Sequence, residues 1–135
     1  MSRLDIIVVE TGIWTLEEDG KNVFLVDCQK FGILKSERKE LLVFLREAVA
    51  AFRGSGFIDV LIERGNLKKL SRQKEAVNKD LWEIRRDGDG ARILFVRISS
   101  DVVVVAAVDK GKGSLSQAVN RGVKRWKNYL KTKDE

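Results

Sequence analysis

The sequence predicts an α+β fold: a twisted, mainly antiparallel sheet, two helices in the N-terminal half and a basic amphipathic helix at the C-terminus. Three observations predict it. Residues 81–108 alternate β-rich runs with short linkers. Residues 36–54 carry apolar side chains at helical spacing, and residues 114–130 repeat that spacing with lysines and arginines on the remaining faces. A chain of 135 residues, 44% hydrophobic and 34% charged, supports one compact core, so a single domain is expected over residues 1–135.

Taken in order, GIWTLEEDGKNVFLVDC places Asp19-Gly20 between two β-rich runs and predicts a hairpin of Ile13–Glu17 and Val23–Asp27. Ile6–Glu10 is a further strand beside it. In SERKELLVFLREAVAAFRGSG, Leu41, Leu45, Ala48, Val49 and Phe52 recur on one helical face, with Ser36 as the expected cap and Gly54 as the stop. FIDVLIERG fits a helix or a strand; a short second helix ending near Gly65-Asn66 is the expectation, followed by a polar connection over residues 71–79.

Strands follow at Leu81–Arg86, Ala91–Ile98 and Val102–Val108. Their linkers are too short for parallel crossovers, which predicts an antiparallel meander. Leu115, Val119, Val123, Trp126 and Leu130 then mark the buried stripe of the last helix, capped by Ser114 or Ser116, with Arg121, Lys124, Arg125 and Lys131 expected mainly outside it.

Composition narrows the chemistry. The net charge is +6 and the pI about 9.6, which suits a polyanionic partner and equally suits a solvated basic face. Histidine is absent, which removes histidine acid–base catalysis, Cys–His nucleophiles and histidine metal sites. Cys28, the single cysteine, reads as a packed thiol. DGDGAR lacks the ligand spacing of an EF-hand, and DKGKGS lacks the upstream glycine of a phosphate-binding loop, so no metal and no cofactor are expected. No apolar run approaches the ~20 residues of a membrane span and no signal-peptide pattern opens the chain; a cytoplasmic location is the expectation. Trp14, Trp82 and Trp126 each sit in an apolar pattern and read as core.

The turn DGDG fixes which residues share a face. A loop of even length puts Arg85 and Arg92 on the same side of the sheet, with Arg85 opposite either Arg92 or Leu94. Like charges across a sheet are unfavourable without a counter-anion. The next strand returns Asp109, Lys110 and Lys112 to that same end, where the lysines and arginines either solubilise it or, with backbone N–H groups of DKGKGS, bind phosphate.

LWEIRRDGDGARILFV, followed by DVVVVAAVDKGKGS and a terminal basic helix, resembles the RelE/HigB-type toxins of bacterial type II toxin–antitoxin systems, within the RelE/ParE superfamily and closest to its phage-derived HigB-like branch. The likeness is best over residues 81–130, compatible over 23–70, and leaves residues 1–20 as an N-terminal β extension. It implies a RelE-like fold and a ribosome-dependent mRNA endoribonuclease that inhibits translation, with mRNA on the ribosome as substrate, a cognate antitoxin as partner, and a homodimer or toxin–antitoxin hetero-oligomer as assembly. It also implies Arg92, Arg85, Lys110 and Lys112 as catalytic residues and Arg86, Arg121, Lys124 and Arg125 as RNA contacts. Arginines hold the phosphate charge in such metal-independent chemistry, and Lys110 or Lys112 assists proton transfer. Glu83 stands where RelE itself has a basic residue, Ala91 replaces the usual aromatic before Arg92, and no tyrosine lies near the start of the last helix. Those departures keep open a ParE-like gyrase-binding toxin or a noncatalytic RNA-binding or antitoxin-binding module.

Overall fold

In the computed structural model, residues 4–55, 62–63, 66–70, 80–85, 90–99, 102–110 and 115–133 are described. They form a mixed sheet with three helices. The elements are β1 (Leu4–Glu10), β2 (Ile13–Glu18), β3 (Lys21–Asn22), α1 (Val23–Lys30), α2 (Lys35–Ala50), β4 (Leu67–Lys69), β5 (Asp80–Arg85), β6 (Ala91–Ser99), β7 (Val102–Lys110) and α3 (Leu115–Lys133). Among the described residues the sheet order is β1-β2-β7-β6-β5-β4, with β3 added beside β2. No helix among them is long and apolar enough to cross a membrane.

The expected meander is present: β5, β6 and β7 pair antiparallel in sequence order. The sheet is mixed because β2 joins β7 in parallel, through Ile13–Thr15 and Val103–Val105. An apolar cluster fills each face. Leu41, Leu45, Ala48, Val49 and Phe52 of the α2 segment meet Ile84, Ile93, Phe95 and Val105 on one side. On the other, Ala118, Val119 and Trp126 of α3 meet Leu94, Val96, Val104 and Ala107. Alternation along each strand explains the division, since neighbouring residues point to opposite faces.

Residues 23–27 correct the sequence expectation. Asp19 and Gly20 do form the turn, with φ of 55° and 76° as a mirror-image hairpin turn requires, but the strand beyond it is only Lys21–Asn22. Val23–Asp27 is helical instead. The Asn22 carboxamide accepts from the Leu25 N–H at 3.2 Å, capping α1. Val23, Phe24, Asp27 and Cys28 are buried while Leu25 is exposed, a helical stripe that strand alternation does not give. β2 pairs with β1, not with Val23–Asp27.

α2 begins at Lys35, before the expected Ser36 cap; the Glu37 carboxylate accepts from the Leu34 N–H at 3.4 Å. It runs into a π-helical turn over Ala51–Ser55, where Gly54 takes the left-handed φ of 99° that favours glycine. The second helix expected over residues 57–65 lies outside the described residues except for helical Ile62 and Glu63, as does the connection at 71–79. Ser114 also lies outside them, and Ser116 sits within α3 rather than capping it.

Beyond Val105, β7 parts from β2, and its open edge is closed by side chains. The Val108 N–H donates to Asp27 Oδ2 at 2.9 Å. The Ala106 carbonyl accepts from Arg125 at 3.1 Å, and the Val108 carbonyl from Arg121 at 2.9 Å. Buried backbone groups must be paired, so α1 and α3 together replace a missing strand. Arg125 completes the arrangement with a two-pronged ion pair to Asp27, at 2.8 and 2.9 Å.

Candidate functional site

The register sets the site. Arg85 lies directly opposite Arg92, and Arg92 opposite Asp109; in the adjoining row Lys68 faces Glu83, which faces Leu94. Leu94 packs beneath α3, so both rows occupy the α3 side of the sheet. Toward the β4 edge they line a cavity of about 460 Å³, bounded by Ile62, Leu67, Lys68, Lys69, Glu83, Arg85 and Arg92. Lys68, Arg85 and Arg92 thus stand around one carboxylate, whereas Lys69, opposite Trp82, turns to the α2 face.

Each of these side chains has a distinct setting. Asn66, buried beside β5, donates through Nδ2 to the Arg85 carbonyl at 3.0 Å and accepts the Arg85 N–H on its own carbonyl at 2.9 Å. That clamp fixes the backbone from which Arg85 projects into solvent. Arg92 is only 7% exposed and approaches Asp109 at 2.9 Å through Nε, with Nη1 3.8 Å from Glu83 Oε2. Burial pushes the Asp109 carboxyl above its ordinary range, with the charges of Arg92 and Arg121 pulling part of the way back. Glu83 is buried as well, and its Oε2 accepts no hydrogen bond among the described residues. Lys69 sits over the Trp82 ring at 5.7 Å and 3.6 Å from Asp80.

The expected site residues divide accordingly. Arg85 and Arg92 come together at the cavity. Lys110 reaches the same sheet end, but it lies opposite Ala91 and so projects to the α2 face, where its Nζ donates to Glu37 at 2.9 Å. Lys112 and Arg86 lie outside the described residues. Arg121 and Arg125, expected on the solvent face of the last helix, instead face the sheet: both engage Asp27 and the β7 edge, and Arg125 is 8% exposed. Lys124 is exposed.

No family model, curated protein or solved structure matches the chain.

Glu83 and Lys68 join the site without having stood out in the sequence as ligands, and Asp109, already expected at this sheet end, is the partner of Arg92. Extending the Arg85/Arg92 parity to the next strand pairs Arg92 with Asp109; Lys68 lies on β4, which the sequence reading did not assign as a strand, and nothing local to LWEIR marks Glu83. Among the described residues no group of three or more cysteine and carboxylate side chains is placed to hold a metal ion. The chemistry on offer is anion binding by guanidinium and ammonium groups, beside a carboxylate able to accept hydrogen bonds.

Proposed function

We propose that the cavity at the β4–β5–β6 edge binds the phosphate backbone of RNA, and that the chain is a RelE/HigB-like toxin cleaving mRNA on the ribosome. The observation that carries this is the exposed Arg85 guanidinium at the mouth of an open cavity, directly across the sheet from Arg92, so that an anion held by Arg85 also feels the charge of Arg92 on the cavity wall. Support for a RelE-like fold comes from the succession of a strand, helices, an antiparallel meander and a terminal helix, the order that the resemblance implies.

In the proposed reaction the ribose 2′-hydroxyl gives its proton to solvent as its oxygen attacks the adjacent phosphorus, the P–O5′ bond breaks, the leaving 5′-oxygen takes a proton from solvent, and the products are a 2′,3′-cyclic phosphate and a 5′-hydroxyl. Arg85 supplies an exposed fork to the phosphate, and Arg92 adds charge from the cavity wall. Both stabilise the phosphorane more than the ground state, since negative charge builds on its equatorial oxygens. Lys110, held by Glu37 on the far face, takes no part in proton transfer here.

A noncatalytic binding module is the second reading, favoured by the ion pair that already engages Arg92 with Asp109. Controlled expression followed by mapping of new 5′ ends separates the possibilities. The nuclease predicts growth arrest with cuts in translated messages. Intact messages with gyrase-dependent DNA breaks would instead support a ParE-like toxin, and intact messages without breaks a binding module neutralised by, or docked on, an antitoxin.

A further inference from the structure

We infer that the cavity reads a nucleobase as well as a phosphate, and that Glu83 selects guanine. This rests on the RNA reading above and names the base held beside the bound phosphate. The starting point is an unmet demand. Glu83 is 4% exposed, its Oε2 accepts no hydrogen bond among the described residues, and its nearest described cation, Arg92 Nη1, stands 3.8 Å away, beyond hydrogen-bond reach. A buried carboxylate oxygen left without a donor is costly, and a ligand that supplies the donor recovers that cost on binding.

The remaining walls define the ligand. Lys68, Arg85 and Arg92 favour an anion and disfavour a metal cation beside Glu83; Ile62, on the rim, offers apolar surface. A volume of about 460 Å³ falls in the ~300–1,000 Å³ range of small-ligand sites. A nucleotide meets all three conditions, with its phosphate on the cations, its ring against the apolar wall and its donors on the carboxylate.

Donor pattern then distinguishes the four bases. A carboxylate is acceptor-only and binds best to two adjacent N–H groups. Guanine presents N1–H and N2–H side by side. Adenine and cytosine set one amino donor beside a ring-nitrogen acceptor, and uracil flanks its single N–H with two carbonyls; each brings an acceptor against the carboxylate. A site built for hydrogen-bond donors rejects ligands that lack them more strongly than an apolar pocket rejects a missing methylene.

Titration of the full chain with the four nucleoside 3′-monophosphates, followed by NMR or calorimetry, tests this. Guanosine 3′-monophosphate is expected to bind about tenfold or more tightly than the other three, the scale of one good bidentate base contact. Glu83→Gln, which replaces one acceptor with a donor, should remove that advantage and move the preference toward adenine or cytosine. Four equal affinities, all weakened by Arg85→Ala, would overturn the guanine assignment and leave phosphate binding standing. A Glu83→Gln protein that loses all four nucleotides alike would reduce Glu83 to a structural role. Absence of binding by any nucleotide and by RNA would sink both the assignment and the proposal beneath it. The wild-type titration decides preference even where a variant folds poorly.

Discussion

Arg92, Arg121 and Arg125 share one side-chain chemistry, and burial gives it different uses. Arg125 spends its guanidinium on Asp27 and the β7 edge, and removing either partner of such a buried pair costs on the order of 3–5 kcal/mol. Arg92, paired with Asp109, is similarly enclosed, so Arg92→Ala threatens the fold along with any function; exposed Arg85 is the cleaner probe of the site. Cys28 shows the same dependence on surroundings. Burial pushes its thiol from 9.0 up to about 12, with Arg38 acting against the shift. The stabilisation linked to the protonated thiol is therefore complete below pH 9.0 and lost as pH rises toward about 12. With Ellman's reagent near neutral pH, Cys28 should react negligibly in the native protein and rapidly after denaturation. Rapid labelling of the folded chain would show that the thiol is neither buried nor protonated.

At the level of elements, legibility followed length and turn chemistry. The β5–β6–β7 meander was readable because short linkers exclude parallel crossovers, and the Arg85/Arg92 facing was readable because loop parity fixes it. VFLVDC was not, since a short apolar run fits either period and the deciding interaction is a single Asn22 cap. The inward turn of Arg125 was equally hidden: it is set by an open stretch of β7 that exists only after the sheet has formed. Charge on a helix therefore marks solvent only where no sheet edge asks for it. α3 also carries Gly122 against the sheet, where an added Cβ would meet the Ala106 and Ala107 Cβ atoms at 3.5 and 3.6 Å, ordinary contact distances. Gly122→Ala should thus stabilise the protein by up to about 1 kcal/mol through helix propensity. Gly122→Leu should destabilise it by roughly 1–3 kcal/mol through overpacking. Urea unfolding midpoints measure both; a lowered midpoint for the alanine variant would mean that α3 sits closer to the sheet than described.

For the whole molecule, a net charge of +6 makes some attraction to RNA unremarkable; what matters is whether the attraction is local. α3 covers the β7 side of its sheet face and leaves the β4–β5 side to a cavity where Lys68, Arg85 and Arg92 gather. α2, on the opposite face, carries exposed Lys39, so Lys39→Ala changes net charge as Arg85→Ala does but far from the cavity. Binding of a short single-stranded RNA by fluorescence anisotropy, across a series of salt concentrations, compares the two directly. With cavity binding, Arg85→Ala weakens affinity about tenfold and flattens the slope of log K against log salt by ~0.7, the release expected for one lost phosphate contact on a single strand, while Lys39→Ala leaves both unchanged. Equal effects from the two variants, or no effect from Arg85→Ala, would contradict RNA binding at the β4–β5–β6 edge.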